Sequence, residues 1–215
     1  MGKYVVVDLE MCKVPYDKRN EQFHWGSETI QIGAVLLDEE YQIVDEFNTY
    51  VAPEFGRLDW KISDLTGIKQ QNLKSAPVMR DALMRFVSWI PEGAQVVSWS
   101  DNDLKQIGHE AESKNIVIDR LEGIFEGWID CQKIFSEKIK DNKNFSLFEA
   151  LIATDIMQEG QEHDGLVDAK NTAKLFAKLM TEPELRLNKI YENARSDESD
   201  RLSFSFGDLL KNISL

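Results

Sequence analysis

The stretch YVVVDLEM, residues Tyr4–Met11, places two acidic residues directly behind a run of β-branched residues. Its first part, Tyr4–Val7, is short and apolar, which predicts a buried central strand. Asp8 and Glu10 are two residues apart, so on a continuing strand both side chains point to the same face. Two unpaired carboxylates there would lose hydration and repel each other, and a divalent cation would resolve both problems. Alternatively, the strand ends at Asp8 and water solvates both acids; this pair alone does not separate the two interpretations.

The chain has 215 residues, of which 42% are hydrophobic and 29% are charged. This composition is typical of an ordinary soluble protein, and the length predicts one sizeable α/β domain with a short appendage. The longest apolar run lies near Ile32–Leu37 and is far shorter than a membrane span. Asp8 and Glu10 interrupt the segment in which a signal peptide would need an apolar core, so we expect a cytoplasmic protein.

The formal net charge is −13. An acidic total argues against a protein that grips a long duplex, because such binding needs a basic surface. A site that holds only the end of a strand, with bound cations supplying positive charge, stays compatible with it, as does a local basic patch. The two cysteines, Cys12 and Cys131, lack the spacing of metal clusters, so neither a zinc cluster nor a disulfide framework is expected.

Hydrophobic periodicity predicts a mixed β-sheet flanked by helices. Residues 12–27 contain Pro, Gly and three aromatic rings, which predicts a long loop after the first strand. The later strands are predicted at Thr29–Leu37, Ile43–Tyr50 and Gln95–Trp99, and the helices at Pro77–Trp89, Asp103–Lys114, Phe145–Ile152 and Leu166–Met180.

The segment EHDGLVDAKNTAKLFAKLM, residues 162–180, places an acid at the head of an amphipathic helix. Asp168 shares one helix face with Thr172, Leu175 and Leu179, which otherwise face the core. His163 lies in the preceding loop, where a histidine can accept a proton from water near neutral pH. The alternative is that Asp168 only complements the positive start of the helix and His163 is a surface residue.

The segment SWSDND, residues 98–103, joins a predicted strand to a predicted helix and offers two candidate acids. Asp101 fits the N-cap of the helix. Asp103 fits the first helical turn, where the helix dipole favours a negative charge. Each of these segments is a weak signal alone, but the order and spacing of the three together are specific.

Together the segments resemble the three motifs of the DnaQ-like, DEDDh exonuclease superfamily, and most of all its branch of ERI-1/3′hExo RNA exonucleases and bacterial KapD-like proteins. VVVDLEM resembles the first motif, SWSDNDLKQI the second, and HDGLVDAKNTA the third, with the His-x4-Asp spacing of the DEDDh subtype. Alignment on Trp99 and Lys105 selects Asp103 over Asp101 in the second motif. ETIQIGAV resembles the family's second strand, and LTGI resembles the stretch before the second motif.

The resemblance implies a ribonuclease H-like fold and a metal-dependent 3′-5′ exonuclease with two Mg²⁺ or Mn²⁺ ions. Asp8 would bridge both ions, and Glu10 and Asp168 would complete the site of the nucleophilic water. Asp103 would act on the leaving-group ion. His163 would take the proton of the water, and the product would be a nucleoside 5′-monophosphate. We expect this exonuclease domain over residues 1–180, followed over residues 181–215 by a charged helix or linker and an apolar tail.

The resemblance also implies single-stranded 3′ ends as the substrate, with RNA favoured over DNA. The terminal base would lie near Leu65, Thr66 and Ile68, and the backbone of Met11 beside the sugar, although plain core packing of the Leu and Ile is an alternative. Trp25 could stack on a second base, but loop aromatics more often anchor the loop itself. A DNA-directed proofreading-type exonuclease and a non-catalytic nucleic-acid-binding regulator stay open, and no protein partner is indicated.

Overall fold

The structure is a computed structural model that describes residues 2–141, 143–189 and 191. Within these residues the strands are β1 Tyr4–Lys13, β2 Ser27–Leu37, β3 Ile43–Tyr50, β4 Gln95–Ser98 and β5 Ile129–Asp130. The helices are α1 Trp60–Thr66, α2 Gln70–Lys74, α3 Met79–Trp89, α4 Asn102–Ser113, α5 Leu121–Glu126, α6 Cys131–Ile139, α7 Leu147–Ala153 and α8 Gly165–Thr181, and a 3₁₀ turn spans Tyr16–Lys18. None of the helices in the described part combines the length and apolarity needed to cross a membrane. Most of the segment predicted as a tail, residues 192–215, lies outside the described residues.

The strands form one mixed sheet in the order β3-β2-β1-β4-β5. Strands β1, β2 and β3 pair antiparallel, whereas β4 pairs parallel with both β1 and β5. Helices pack on both faces of this sheet. The predicted mixed sheet flanked by helices is therefore the observed architecture.

Alternate residues of β1 face different packing layers. Val5 and Val7 belong to the apolar cluster that includes α3, and Val6 belongs to the cluster that includes α6, α7 and α8. Because side chains alternate along a strand, Asp8 and Glu10 share the face of Val6. Both acids therefore point toward the layer that contains α8.

Strand β1 continues through both acids as far as Lys13, so the alternative in which the strand ends at Asp8 is wrong. Its antiparallel ladder with β2 runs from the Tyr4–Leu37 pair to the Lys13–Ser27 pair. This ladder holds polar residues in a conformation that they disfavour on their own. The loop predicted at residues 12–27 is correspondingly shorter, because its ends belong to the two strands.

A buried ionic network fixes α4 against β2. Lys114 Nζ lies 2.6 Å from Glu28 Oε1 and 2.8 Å from Glu110 Oε2. Glu28 also accepts hydrogen bonds from three backbone N–H groups in residues 54–56, and Glu110 accepts from the N–H and the hydroxyl of Thr29. Both glutamates are fully buried, and their partners satisfy the polar atoms that burial would otherwise penalise.

Candidate active site

The two acids of β1 lie opposite small or polar residues of β2. Asp8 pairs with Gly33 and Glu10 pairs with Gln31, and the register shifts directly after Glu10. Such irregularities re-aim neighbouring side chains and are common beside active sites. Glu10 is buried, whereas Asp8 is partly exposed.

The first turn of α8 rests directly on the backbone of β1 and β2. A Cβ atom on Gly33 would fall onto the backbone nitrogen of Leu166, and a Cβ on Gly165 would lie 3.0 Å from the backbone oxygen of Asp8. Only glycine permits this approach of helix to sheet. The approach brings Asp168, in the first turn of α8, to the face that carries the β1 acids.

A tight turn connects His163 to Asp168. The backbone of His163 has a φ of +62°, and its N–H donates a hydrogen bond of 2.8 Å to Asp168 Oδ2. Asp164 caps α8 by accepting from the N–H groups of Leu166 and Val167. Ligand atoms of Glu10, His163 and Asp168 all lie within 4.8 Å of one another.

The structure brings Asp103, and not Asp101, against β1. Asp103 is buried in the first turn of α4, and its Oδ1 accepts the backbone N–H of Leu9 at 3.1 Å. Asp101 occupies the N-cap position without making a side-chain cap bond, and it forms an ion pair of 2.8 Å with Lys105. Asp101 thus interacts within its own helix, whereas Asp103 joins α4 to the strand that carries Asp8 and Glu10.

The four carboxylates repel one another in a desolvated site. The pKa of Asp8 lies well above its ordinary value. Burial is the largest cause, followed by the negative charges of Asp103, Glu10, Asp168 and Asp164. Burial together with neighbouring acids raises the pKa of Glu10 to about 8.

The remaining two acids shift in the same direction. Burial raises the pKa of Asp103 to about 7, although the N–H of Leu9 opposes this shift. Burial also raises the pKa of Asp168, opposed by the hydrogen bond and charge of His163. Four oxygen-donor groups that destabilise one another's charge match the preference of hard divalent cations, so this donor set fits such ions.

The residues predicted to contact the substrate have different surroundings. Leu65 is 47% exposed at the end of α1, whereas Thr66 and Ile68 are buried. Ile68 packs in an apolar cluster with Cys12. This packing corresponds to the alternative in which Ile68 is a core residue. Met11 is partly buried and directly follows the register shift of β1.

Trp25 anchors its own loop to α4. Its ring stacks on His109 with centroids 3.4 Å apart, and its Nε1 donates to Ser113 Oγ at 3.2 Å. These contacts correspond to the loop-anchoring alternative for this tryptophan. They also bury part of His109.

Comparison with known proteins identifies the family. The family described as Exonuclease (RNase T) matches residues 5–176. The chain belongs to this exonuclease family. The resemblance to the DnaQ-like DEDDh superfamily, close to the ERI1 branch, is thereby confirmed.

Among its relatives, ERI1 exoribonuclease 2 of Danio rerio is 33% identical over 181 residues, which cover 73% of this chain and 32% of the relative. A PolC-type DNA polymerase III of Caldanaerobacter subterraneus is 27% identical over 180 residues, covering 83% of this chain and 12% of the polymerase. The chain thus spans a third or less of these two relatives. The nuclease domain of 3′hExo, described as a DEDDh family member bound to rAMP, superimposes with a TM-score of 0.72 at 22% identity, covering 87% of this chain and 96% of that domain. This likeness confirms the predicted ribonuclease H-like fold.

Three residues that matter for the geometry were not singled out from the sequence: Gln31, Gly33 and Asp164. Asp164 had a local signal, since an Asp immediately before an amphipathic helix is a good N-cap. Gly33 and Gln31 had none, because their importance depends on the approach of α8, which is distant in sequence.

Proposed function

We propose that this chain is a divalent-metal-dependent 3′-5′ exonuclease that removes nucleoside 5′-monophosphates from single-stranded 3′ ends, with RNA preferred over DNA. The observation that carries the proposal is the convergence of acids from β1, α4 and α8 on one face, next to His163. Membership of the exonuclease family supports the same reaction.

Asp8, Glu10, Asp103 and Asp168 would hold two Mg²⁺ or Mn²⁺ ions. When bound, such ions acidify a water molecule and stabilise charge on the phosphate and on the departing 3′ oxygen. Without neutralisation, the four carboxylates would repel a phosphodiester, so the site needs cations to bind its substrate at all.

His163 would accept the proton of the attacking water. Its side chain is exposed, and its backbone N–H is tied to Asp168 Oδ2, so the imidazole stands at the edge of the acidic cluster. An imidazole has the right proton affinity for this role near neutral pH.

The exposed Leu65 and the backbone of Met11 would receive the terminal nucleotide. Leu65 is joined to the loop of His163, because Gln161 Nε2 donates to the backbone oxygen of Leu65 at 3.2 Å. This contact links the backbone of the proposed base-binding residue to the loop that carries His163. An apolar contact of this kind tolerates any base, as an exonuclease requires.

The preference for RNA is supported by a relative named an exoribonuclease and by a structural neighbour bound to rAMP. The net charge of −13 favours strand ends over long duplexes. A DNA-directed proofreading-type exonuclease is the second candidate, because a PolC-type DNA polymerase is also among the relatives.

The test is a digestion of 5′-labelled single-stranded RNA, single-stranded DNA and a stem-loop RNA with Mn²⁺, with Asp8→Asn as the control. A one-nucleotide ladder on RNA, absent with the variant, is the expected result. A faster ladder on DNA would establish the second candidate instead. Binding without any cleavage by the wild-type protein would refute the enzyme and leave a nucleic-acid-binding regulator.

A further inference from the structure

We infer that Gln31 is a positioning residue of the proposed exonuclease: its side chain fixes the start of α8 on the sheet and so sets how Asp168 and His163 stand relative to the carboxylates of β1. The inference rests on the proposed function. Gln31 lies in the middle of β2, directly opposite Glu10, and its exposed fraction is 0%. Directly opposed residues of a ladder share a face, so its side chain points to the layer of α8.

Both ends of the Gln31 amide are used. Its Oε1 accepts the backbone N–H of Gly165 at 3.2 Å, and its Nε2 donates to Asn48 Oδ1 at 3.1 Å. The N–H of Gly165 can only donate, so the oxygen of Gln31 must face it and the amide nitrogen must face Asn48. One side chain therefore joins β2, β3 and the first residue of α8.

The bonded N–H is also one that helix geometry leaves without a partner. The first N–H groups of an α-helix have no intrahelical acceptor, and a buried one needs a partner from elsewhere. Asp164 caps the next two N–H groups of α8, and Gln31 takes that of Gly165. The helix start is thus held from two sides, one within its own loop and one from the sheet.

The location of this bond explains why it would matter for chemistry. Gly165 lies between His163 and Asp168 in sequence, and a Cβ atom added to it would lie only 3.0 Å from the backbone oxygen of Asp8. A shift of the helix start therefore moves two site residues together relative to β1. A displacement of about 1 Å can lower a reaction rate about 100-fold.

At position 31, an apolar side chain would fill the same space as Gln31 and would lose less hydration on burial. Burying an amide is unfavourable unless both of its ends form hydrogen bonds. Gln31 makes both bonds. The bond to Gly165 joins α8 to the sheet next to the proposed site, and the bond to Asn48 orients the amide. Elsewhere α8 is held by apolar packing, through Leu175, Phe176 and Leu179. The apolar contacts hold the later turns of α8, and the Gln31 amide holds its first residue, three positions before Asp168.

The experiment compares Gln31→Met, which keeps the length of the side chain and removes both hydrogen bonds, with Thr154→Val, which removes a buried hydroxyl bond at the end of α7. We expect Gln31→Met to lower kcat on single-stranded RNA with Mn²⁺ by about 10- to 100-fold and to weaken Mn²⁺ binding, measured by calorimetry, about tenfold. KM should change by less than about threefold. Thr154→Val should lower the Tm in EDTA but leave kcat and the Mn²⁺ Kd unchanged. The inference is overturned if Gln31→Met keeps both the wild-type kcat and the wild-type Mn²⁺ Kd.

A second pair of variants decides the matter if Gln31→Met does not fold. Asn48 is exposed on β3, so substitutions there are tolerated structurally. Asn48→Leu removes the acceptor that orients the amide and should lower kcat about fivefold, whereas Asn48→Asp retains an acceptor and should restore it. Equal kcat values for these two variants would overturn the inference. A wild-type protein without nuclease activity would instead refute the proposed function. In that case the Mn²⁺ Kd values alone test Gln31, and an unchanged Kd in its variants would overturn the inference.

Discussion

Replacing Glu10 by glutamine should make the metal-free protein more stable near neutral pH. Glu10 is 8% exposed, and its surroundings raise its pKa from the ordinary value of 4.5 to about 8. A carboxyl group with a raised pKa binds its proton more tightly in the folded state than in the unfolded chain. Its effect on stability is therefore smallest below pH 4.5 and becomes steadily more unfavourable as the pH rises from there toward about 8.

The magnitude follows from the two proton affinities. Each tenfold difference in proton affinity corresponds to about 1.4 kcal/mol, so at about pH 7 this single group lowers the free energy of unfolding by about 3 kcal/mol. Glutamine has nearly the same shape and does not titrate. The Glu10→Gln variant should therefore gain about 3 kcal/mol over wild type at about pH 7 and almost nothing at about pH 4.5.

The assay is urea unfolding in EDTA at several pH values, with Asp101→Asn as the matched control. Asp101 is an acid at the same end of the sheet, but its side chain pairs with Lys105, which lowers its pKa. Removing it should therefore bring no gain at neutral pH. The reasoning is refuted if Glu10→Gln and wild type show the same pH dependence.

Adding Mn²⁺ extends the same experiment to the proposed cofactor. At a concentration about 100 times the Kd, a ligand that binds only the folded state adds about 2.7 kcal/mol to its stability. Wild type should gain this amount, and Glu10→Gln should gain much less because it lacks one of the proposed ligands. An equal gain for both would remove Glu10 from the ligand set.

The remaining predictions concern activity and the buried network. Asp168→Asn should abolish exonuclease activity while the circular dichroism spectrum stays near wild type and the Tm does not fall; near-full turnover with Mg²⁺ would contradict its proposed role. His163→Ala should lower kcat at neutral pH by about 10²- to 10⁴-fold with little change in the Mn²⁺ Kd, since its proposed task is proton transfer; an equal loss of Mn²⁺ affinity would make it a ligand instead. Lys114→Met should lower the free energy of unfolding by about 3–5 kcal/mol, because it leaves two fully buried glutamates without their cation; Lys105→Met, at an exposed pair, should cost about 1 kcal/mol or less in the same urea titration.

Long elements with a clear hydrophobic period were predictable from the sequence. The strand Ile43–Tyr50 has the predicted bounds, and α3, α4 and α8 differ from prediction by one or two residues at their ends. The short elements α1, α2, α5 and β5 were missed because they contain too few residues to show a period. Helix α6 was missed as well, although Cys131, Phe135 and Ile139 in its sequence CQKIFSEKI recur every four residues and are buried.

The extent of β1 shows why local preference failed at the site. Asp8 and Glu10 are residues that strands disfavour, and only the ladder with β2 keeps them in a strand. This conflict between local preference and fold is itself a functional signal, because natural chains tend to break such rules where chemistry requires it. The two acids behind a β-branched run are visible in the sequence, but only the pairing with β2 showed that the strand continues through them.

The residues around Asp101 and Asp103 left the choice between them open, and alignment with the family motif selected Asp103. The contact that distinguishes the two acids in the structure lies outside any local pattern. Strand β4 pairs with β1 only from Tyr4 to Val6, so the N–H of Leu9 lies beyond the end of that ladder. Asp103 supplies the missing acceptor, and this bond partly offsets the cost of burying its charge. Because β4 ends before it reaches Leu9, the N–H of Leu9 on that side of β1 bonds to an acid from the following helix instead of to a strand. A short strand next to a long one is what opens the sheet at the site, and the helix that follows β4 carries the carboxylate into that opening.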